Sequence, residues 1–317
     1  MKKVVLIFPG QGSQYVGMGK SLEGHPSFEL LEKANKTLGY DLSKIMLEGP
    51  AEELTLTQNT QPAILTYSIG LYQKAKEILD EAGIEVSCVL GHSVGEYPAL
   101  VAAGTLSFED ALKSVHNRGK YMQEAVPAGM GKMYAVMRVP AEIVEKACKE
   151  VSSEGNEVMP ANFNEPGQIV ISGHADACDK AVAWISENFS DPHKTVELKV
   201  SAPFHSSLMK PARENMAAFF NDVTFNKTTI PYIANIDAKK YQIGTDGDIV
   251  KDNLIKQIDG SVLWTQSFQS LDDDTLCIEV GPGRVLTGLA RKINRNIKVI
   301  SLDKDGAFDE LKEALNS

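Results

Sequence analysis

The sequence predicts an α/β fold, a layered domain on a parallel sheet interrupted by a small ferredoxin-like insertion. Three features carry this. Val4–Phe8 is a short continuous apolar run, the pattern of a strand buried on both faces, and Ile84–Leu90 is a largely apolar run read as a second buried strand. The second run leads through Gly91-His92-Ser93-Val94-Gly95 into helical Tyr97–Ala103, a strand–sharp turn–helix junction. Residues 128–200 read strand, helix, strand, strand, helix, strand, which is the ferredoxin-like order.

Taken in order, Val4–Phe8 delivers the glycine-rich turn Pro9-Gly10-Gln11-Gly12. Counted from Gly10, the sixth position is Tyr15, so a dinucleotide fingerprint fails, and no Gly-Lys-Ser/Thr follows to make a P-loop. Phe28–Leu38 and Leu42–Leu47 read as short helices, and a long helix is expected from Pro62, a favoured first helical residue, to about Leu79. Gly91 and Gly95 allow a tight turn at the junction, while Pro98 is expected to distort the helix that follows. Phe108–Met122 has helical spacing. The insertion then reads Met133–Val139, Ala141–Val151, Glu157–Ala161, Gln168–Ser172, Asp176–Asn188 and Lys194–Val200, with residues 162–167 as the hairpin loop. The α/β pattern resumes with strand Ile230–Asn235, helix Val250–Ile258, strand Thr275–Val280, helix Val285–Ile293, strand Ile297–Leu302 and a surface helix Ala307–Leu315. The expected division is one discontinuous domain, 1–127 with 201–317, and a small one at 128–200.

A chain of 317 residues with 43% hydrophobic content supports a large core. A net charge of −10 and the lack of a basic, aromatic-rich stripe argue against nucleic-acid binding. Cys88, Cys148, Cys178 and Cys277 are widely spaced, which suits buried thiols in a reducing compartment. No apolar span reaches membrane length, and five apolar residues after Met1-Lys2-Lys3 are too few for a signal peptide, so a cytoplasmic protein is expected.

The Gly91–Gly95 junction would expose Ser93 as a nucleophile, with the Val94 N–H facing a developing oxyanion. A nucleophilic serine needs a base. His25 and His193 lie in turns, His174 opens a helix, His116 sits on a helix face, and His92 would point away through the turn. His205, in the Pro203-Phe204-His205 loop, is the best candidate by elimination, although spacing alone leaves the choice open. A hydrolase triad with a late histidine does not fit, because 112 residues follow His205, the last histidine, and no acid is assigned.

The blocks Phe8-Pro9-Gly10-Gln11-Gly12-Ser13-Gln14, Thr60-Gln61-Pro62-Ala63, Gly91–Glu96, Arg118-Gly119, Ala161–Gln168, Pro203-Phe204-His205 and Glu279–Gly283 together resemble the malonyl-CoA:acyl-carrier-protein transacylases. The resemblance runs to about residue 293 and implies an α/β-hydrolase-like large domain. It implies Ser93 as nucleophile, His205 as general base, and the Gln257 backbone carbonyl as the group that orients the histidine. It further implies an oxyanion hole at Gln11 and Val94, a substrate carboxylate held by Arg118, and a cleft lined by Gln61, His92, Asn162 and Phe204. Taken alone, Arg118 would read as an exposed helix arginine, and Gln61 as either a helix cap or a residue facing a site.

The implied substrates are malonyl-CoA and an acyl carrier protein that brings its own phosphopantetheine; no cofactor or metal is expected. The acidic partner would dock on a local basic patch, and Arg284, Arg291, Lys292, Arg295 and Lys298 form the densest group. The expected pathway is fatty acid biosynthesis. The alternatives are a discrete acyltransferase serving a polyketide synthase, a serine thioesterase or hydrolase, and a non-catalytic protein on the same fold.

Overall fold

A computed structural model describes residues 3–316. Among these residues the strands are β1 (Val4–Phe8), β2 (Val86–Gly91), β3 (Gly131–Met137), β4 (Val158–Glu165), β5 (Gln168–His174), β6 (Lys194–Glu197), β7 (Tyr232–Ile233), β8 (Lys240–Tyr241), β9 (Leu276–Glu279) and β10 (Lys298–Ser301). The larger sheet runs β10-β9-β1-β2-β7-β8, parallel throughout except for the edge pair β7/β8. Every β1 side chain is buried, as a continuous apolar run in a covered parallel sheet requires.

The smaller sheet runs β4-β5-β3-β6 and is antiparallel, with helices Ala141–Val151 and Ala175–Asn188 supplying the expected crossovers. It has its own apolar cluster around Val136, Val144, Ile171 and Ile185. The expected loop at 162–167 is instead mostly strand. β4 continues to Glu165, with irregular register after Pro160 and Phe163, and only Pro166 and Gly167 turn. The continuation has a second partner. The Phe163 N–H donates to Val262 O (2.9 Å), and the Val262 N–H donates to Ala161 O (2.8 Å). β4 is therefore paired on both sides, and the small sheet is anchored to the segment beside the larger one.

Two proline expectations change. The long helix is Thr57–Glu81, with Pro62 inside it and not at its start. Pro62 has no N–H to offer Gln58 O, its partner four residues back, and that carbonyl instead accepts from His116 Nδ1 at 3.1 Å. Pro98 causes no distortion. A short 3-10 turn, Ser93–Gly95, precedes helix Glu96–Ala102, so Pro98 falls in the first turn, where N–H groups have no intrahelical partner. The strand expected at Ile230–Asn235 is only two residues long. Asn235 leaves the ladder, and its side chain bonds to the turn after β2.

Glycines at that turn serve close approach. A Cβ on Gly95 would lie 2.1 Å from Phe8 O, and one on Gly91 would lie 1.9 Å from Gly95 O. Gly95→Ala should therefore destabilise the protein by roughly 3 kcal/mol or more, the range of severe backbone overpacking. Urea denaturation checks this, and a midpoint unchanged from the parent would contradict the packing described.

Candidate active site

Ser93 sits at the end of β2 with φ +52°, a left-handed conformation that costs a non-glycine residue about 1–3 kcal/mol. Its neighbours hold it there. The Ser93 N–H donates to Asn235 Oδ1 at 2.7 Å, Asn235 Nδ2 donates to Gly91 O at 2.6 Å, and Gln257 Nε2 donates to Ser93 O at 3.0 Å. The hydroxyl is left to face His205, whose Nε2 is 2.7 Å from Ser93 Oγ.

His205 is buried and also has a positive φ, +55°. Its Nδ1 is 2.9 Å from Gln257 O and 3.1 Å from Gly260 O. Two carbonyl acceptors require a proton on Nδ1, so Nε2 carries the lone pair turned to the serine. Gln257 is the last residue of helix Gly247–Gln257, where carbonyls lack intrahelical donors and the helix dipole is negative. No carboxylate is needed at this position. Burial first, and then the Arg118 charge, depress the His205 pKa to about 3, which keeps the ring neutral and able to accept a proton.

Arg118 is among the largest fully buried side chains, not the exposed arginine its helix alone suggested. Its helix, Phe108–Glu124, crosses Thr57–Glu81 at Gly119, where a Cβ would lie 2.6 Å from Thr57 O. That approach brings Arg118 Nη1 within 2.8 Å of Gln61 Oε1, so Gln61 is a partner of the arginine and no cap. Nη2 donates to Gln257 Oε1 at 2.9 Å and to Ser93 Oγ at 3.1 Å. Nε is buried without a hydrogen-bond partner, and among the described residues no carboxylate forms an ion pair with the guanidinium. A buried guanidinium beside a serine hydroxyl, hydrogen-bonded only to neutral groups, is suited to an anionic ligand.

Ser93, His205 and Arg118 open into one cavity that Gln11, Gln61, His92, Val94, Asn162 and Phe204 also line. His92 Nε2 bonds to Asn164 Oδ1 at 2.7 Å, and burial lowers its pKa. Met122, Met133, Val170, Leu198 and Val200 make an apolar wall with Phe204, joining residues of the small sheet and the segment after its last strand to Met122 of helix Phe108–Glu124. Among the described residues no His, Cys, Asp or Glu cluster could hold a metal ion, and no helix is long and apolar enough to cross a membrane.

A family model for the acyl transferase domain matches residues 5–296. The chain is 44% identical to the malonyl CoA-acyl carrier protein transacylase of Bacillus subtilis, over 95% of this chain and 94% of that protein. This chain belongs to the malonyl-CoA:acyl-carrier-protein transacylase family. Its fold matches the acyl carrier protein S-malonyltransferase of Vibrio cholerae, with a TM-score of 0.90 and 38% identity over 98% of this chain and 99% of that one. It matches equally a malonyl-transacylase solved in complex with a type II PKS acyl-carrier protein, with a TM-score of 0.90 and 36% identity, covering 98% and 99%.

Two buried residues of this transacylase had no role in the sequence reading. Asn235 ends an apolar run, and Glu96 closes the Gly91–Glu96 block; a polar residue at each place was the available signal. Glu96 Oε2 accepts from Gln257 Nε2 at 2.7 Å and from the Asn235 N–H at 3.3 Å. Burial pushes its carboxyl up to about 7. The expected basic patch is also modified, because Lys292 pairs with Glu165 at 2.8 Å. Arg284, Arg291, Arg295 and Lys298 are exposed and form no ion pair among the described residues.

The state of His205 has a kinetic consequence. If His205 is the base, its depressed pKa leaves it competent as pH falls, to be overtaken only at acid pH. The acid-side half-point of kcat/KM for serine acylation should therefore lie well below the ~6.5 of a free imidazole. A half-point at or above that value would contradict the buried, neutral ring.

Proposed function

We propose that this protein moves a malonyl group from malonyl-CoA to the phosphopantetheine thiol of an acyl carrier protein, through a malonyl ester on Ser93. The observation that carries the reading is the buried Arg118 guanidinium, without a carboxylate partner and 3.1 Å from Ser93 Oγ. A two-pronged contact from such a group suits a substrate with a free carboxylate beside the reacting carbonyl.

Ser93 Oγ attacks the thioester carbon as its proton passes to His205 Nε2. The Val94 and Gln11 backbone N–H groups receive the oxyanion, each donor worth roughly 3 kcal/mol in the transition state. The C–S bond breaks and coenzyme A leaves with the proton from Nε2. In the second half-reaction the carrier thiol gives its proton to His205, its sulfur attacks the ester carbon, and Ser93 regains the proton as it departs. Gln257 O and Gly260 O steady the transient imidazolium. Phe204 crowds the space an α-methyl would need, a discrimination worth only about 1–3 kcal/mol. His92 and Asn162 shape the cleft.

The chain divides in this reading into a catalytic domain, 1–127 with 201–317, and a small domain, 128–200, whose inner face walls the cavity. We place the enzyme in the cytoplasm and in fatty acid biosynthesis, working without a cofactor. Supply of a polyketide synthase is the second reading, favoured by the likeness to the transacylase solved with a type II PKS carrier; turnover with carriers of both kinds distinguishes the two.

Intact-mass measurement after incubation with malonyl-CoA should show a gain of about 86 Da, one malonyl group replacing the hydroxyl hydrogen. Ser93→Ala should show none, and a label that persists in it would overturn the assignment. Arg118→Ala should lower malonyl transfer by about 100-fold or more and tolerate acetyl-CoA better, since deleting one partner of a buried charge pair costs several kcal/mol. An unchanged malonyl preference would count against the carboxylate role. Arg284→Glu with Arg291→Glu should raise KM for the carrier and spare that for malonyl-CoA, whereas equal effects on both would remove the docking patch from consideration.

A further inference from the structure

Glu96 is 1% exposed, directly behind the nucleophile's turn, yet its carboxylate touches neither the cavity nor Arg118. Its only hydrogen-bond donors among the described residues are Gln257 Nε2 and the Asn235 N–H, both on Oε2, while Oε1 is buried without a partner. A carboxylate desolvated this thoroughly is costly unless its position does something for the site.

The Gln257 side chain shows what that is. An amide has one accepting edge and one donating edge. Here the donating edge faces Glu96 Oε2 and Ser93 O, and the accepting edge faces Arg118 Nη2. Turned over, the amide would set its oxygen against two acceptors and its NH2 against a guanidinium that can only donate. Glu96 and the Ser93 carbonyl thus impose one orientation, and only that orientation gives Arg118 a neutral acceptor. The same Glu96 oxygen holds the backbone of Asn235, whose side chain braces Ser93 N and Gly91 O. One carboxylate oxygen therefore ties the arginine's anchor to the nucleophile's brace.

We propose that Glu96 is a positioning residue of the acyl-transfer site, orienting the Gln257 side-chain amide so that its oxygen aims Arg118 at the acyl group. This rests on the reading that Arg118 binds the substrate's carboxylate. If the orientation is lost, Arg118 is misaimed, so a donor with a carboxylate suffers and one without it is spared. A residue that mattered only for folding would lower both alike.

The test compares kcat/KM for malonyl-CoA and acetyl-CoA, per mole of folded enzyme, in the parent, Glu96→Leu, Glu96→Gln and Arg118→Ala. Glu96→Leu should lower the malonyl-to-acetyl ratio by about tenfold, the effect of losing one hydrogen bond to a charged group. Glu96→Gln, which keeps an accepting oxygen for Gln257 Nε2, should restore the ratio to within about threefold of the parent. Glu96→Asp, one methylene shorter, replaces the leucine variant should that one not fold, with a drop of at least about threefold expected. If Arg118→Ala collapses the ratio and the Glu96 variants leave it unchanged, the positioning role is overturned and the carboxylate reading stands. If Arg118→Ala itself leaves the ratio unchanged, the carboxylate reading falls and this proposal with it.

Discussion

The site depends on keeping Ser93 in a backbone conformation that an L-residue resists. Its φ of +52° turns the hydroxyl out of the sheet toward His205, and it persists because the surroundings allow nothing else. Gly91 and Gly95 let β1, β2 and the helix after the turn meet at distances that a methyl group would forbid. Asn235 and Gln257 then hold the turn by its own N–H and carbonyl groups. Each clamp comes from the last third of the chain, so the strained residue is secured by parts remote from it in sequence.

The proposed base, His205, is oriented by unusual means for a partner of a serine hydroxyl. A carboxylate partner would raise the histidine's basicity strongly; here neutral carbonyls at a helix C-terminus hold the ring. Arg118 on the other side adds a charge that opposes protonation. The two features agree. A site that admits a negatively charged acyl group gains from a resident cation and a neutral base, and a second resident carboxylate at the histidine would repel the incoming one. The one nearby acid, Glu96, sits behind the turn, where Gln257 stands between it and the guanidinium.

The small sheet takes part because β4 does not end where a simple hairpin would. By continuing to Glu165 it pairs with the Val262 segment, two residues beyond the Gly260 carbonyl that faces His205. Thr265 Oγ1 on Phe163 O and the Lys292–Glu165 ion pair extend the same seam. The wall carrying Met133 and Val170 is thus held in fixed relation to Ser93.

Local pattern alone carried the strand-turn-helix at Ser93, the βαββαβ insertion and most helices, because buried parallel strands and amphipathic helices write their periods into a few adjacent residues. Ser93 was legible as the candidate nucleophile for the same reason. His205 was reached only by elimination among the histidines, and Arg118 and Gln257 became candidates only through resemblance, since nothing within a few residues of any of them shows where it points. Tertiary structure decided the rest. It buried Arg118 by letting Gly119 approach Thr57, placed Pro62 and Pro98 where their missing N–H groups are harmless, and drew Asn235 and Glu96 under the turn. These are consequences of what lies across the core, and side-chain partners dozens of residues apart leave no periodic trace in the chain that contains them.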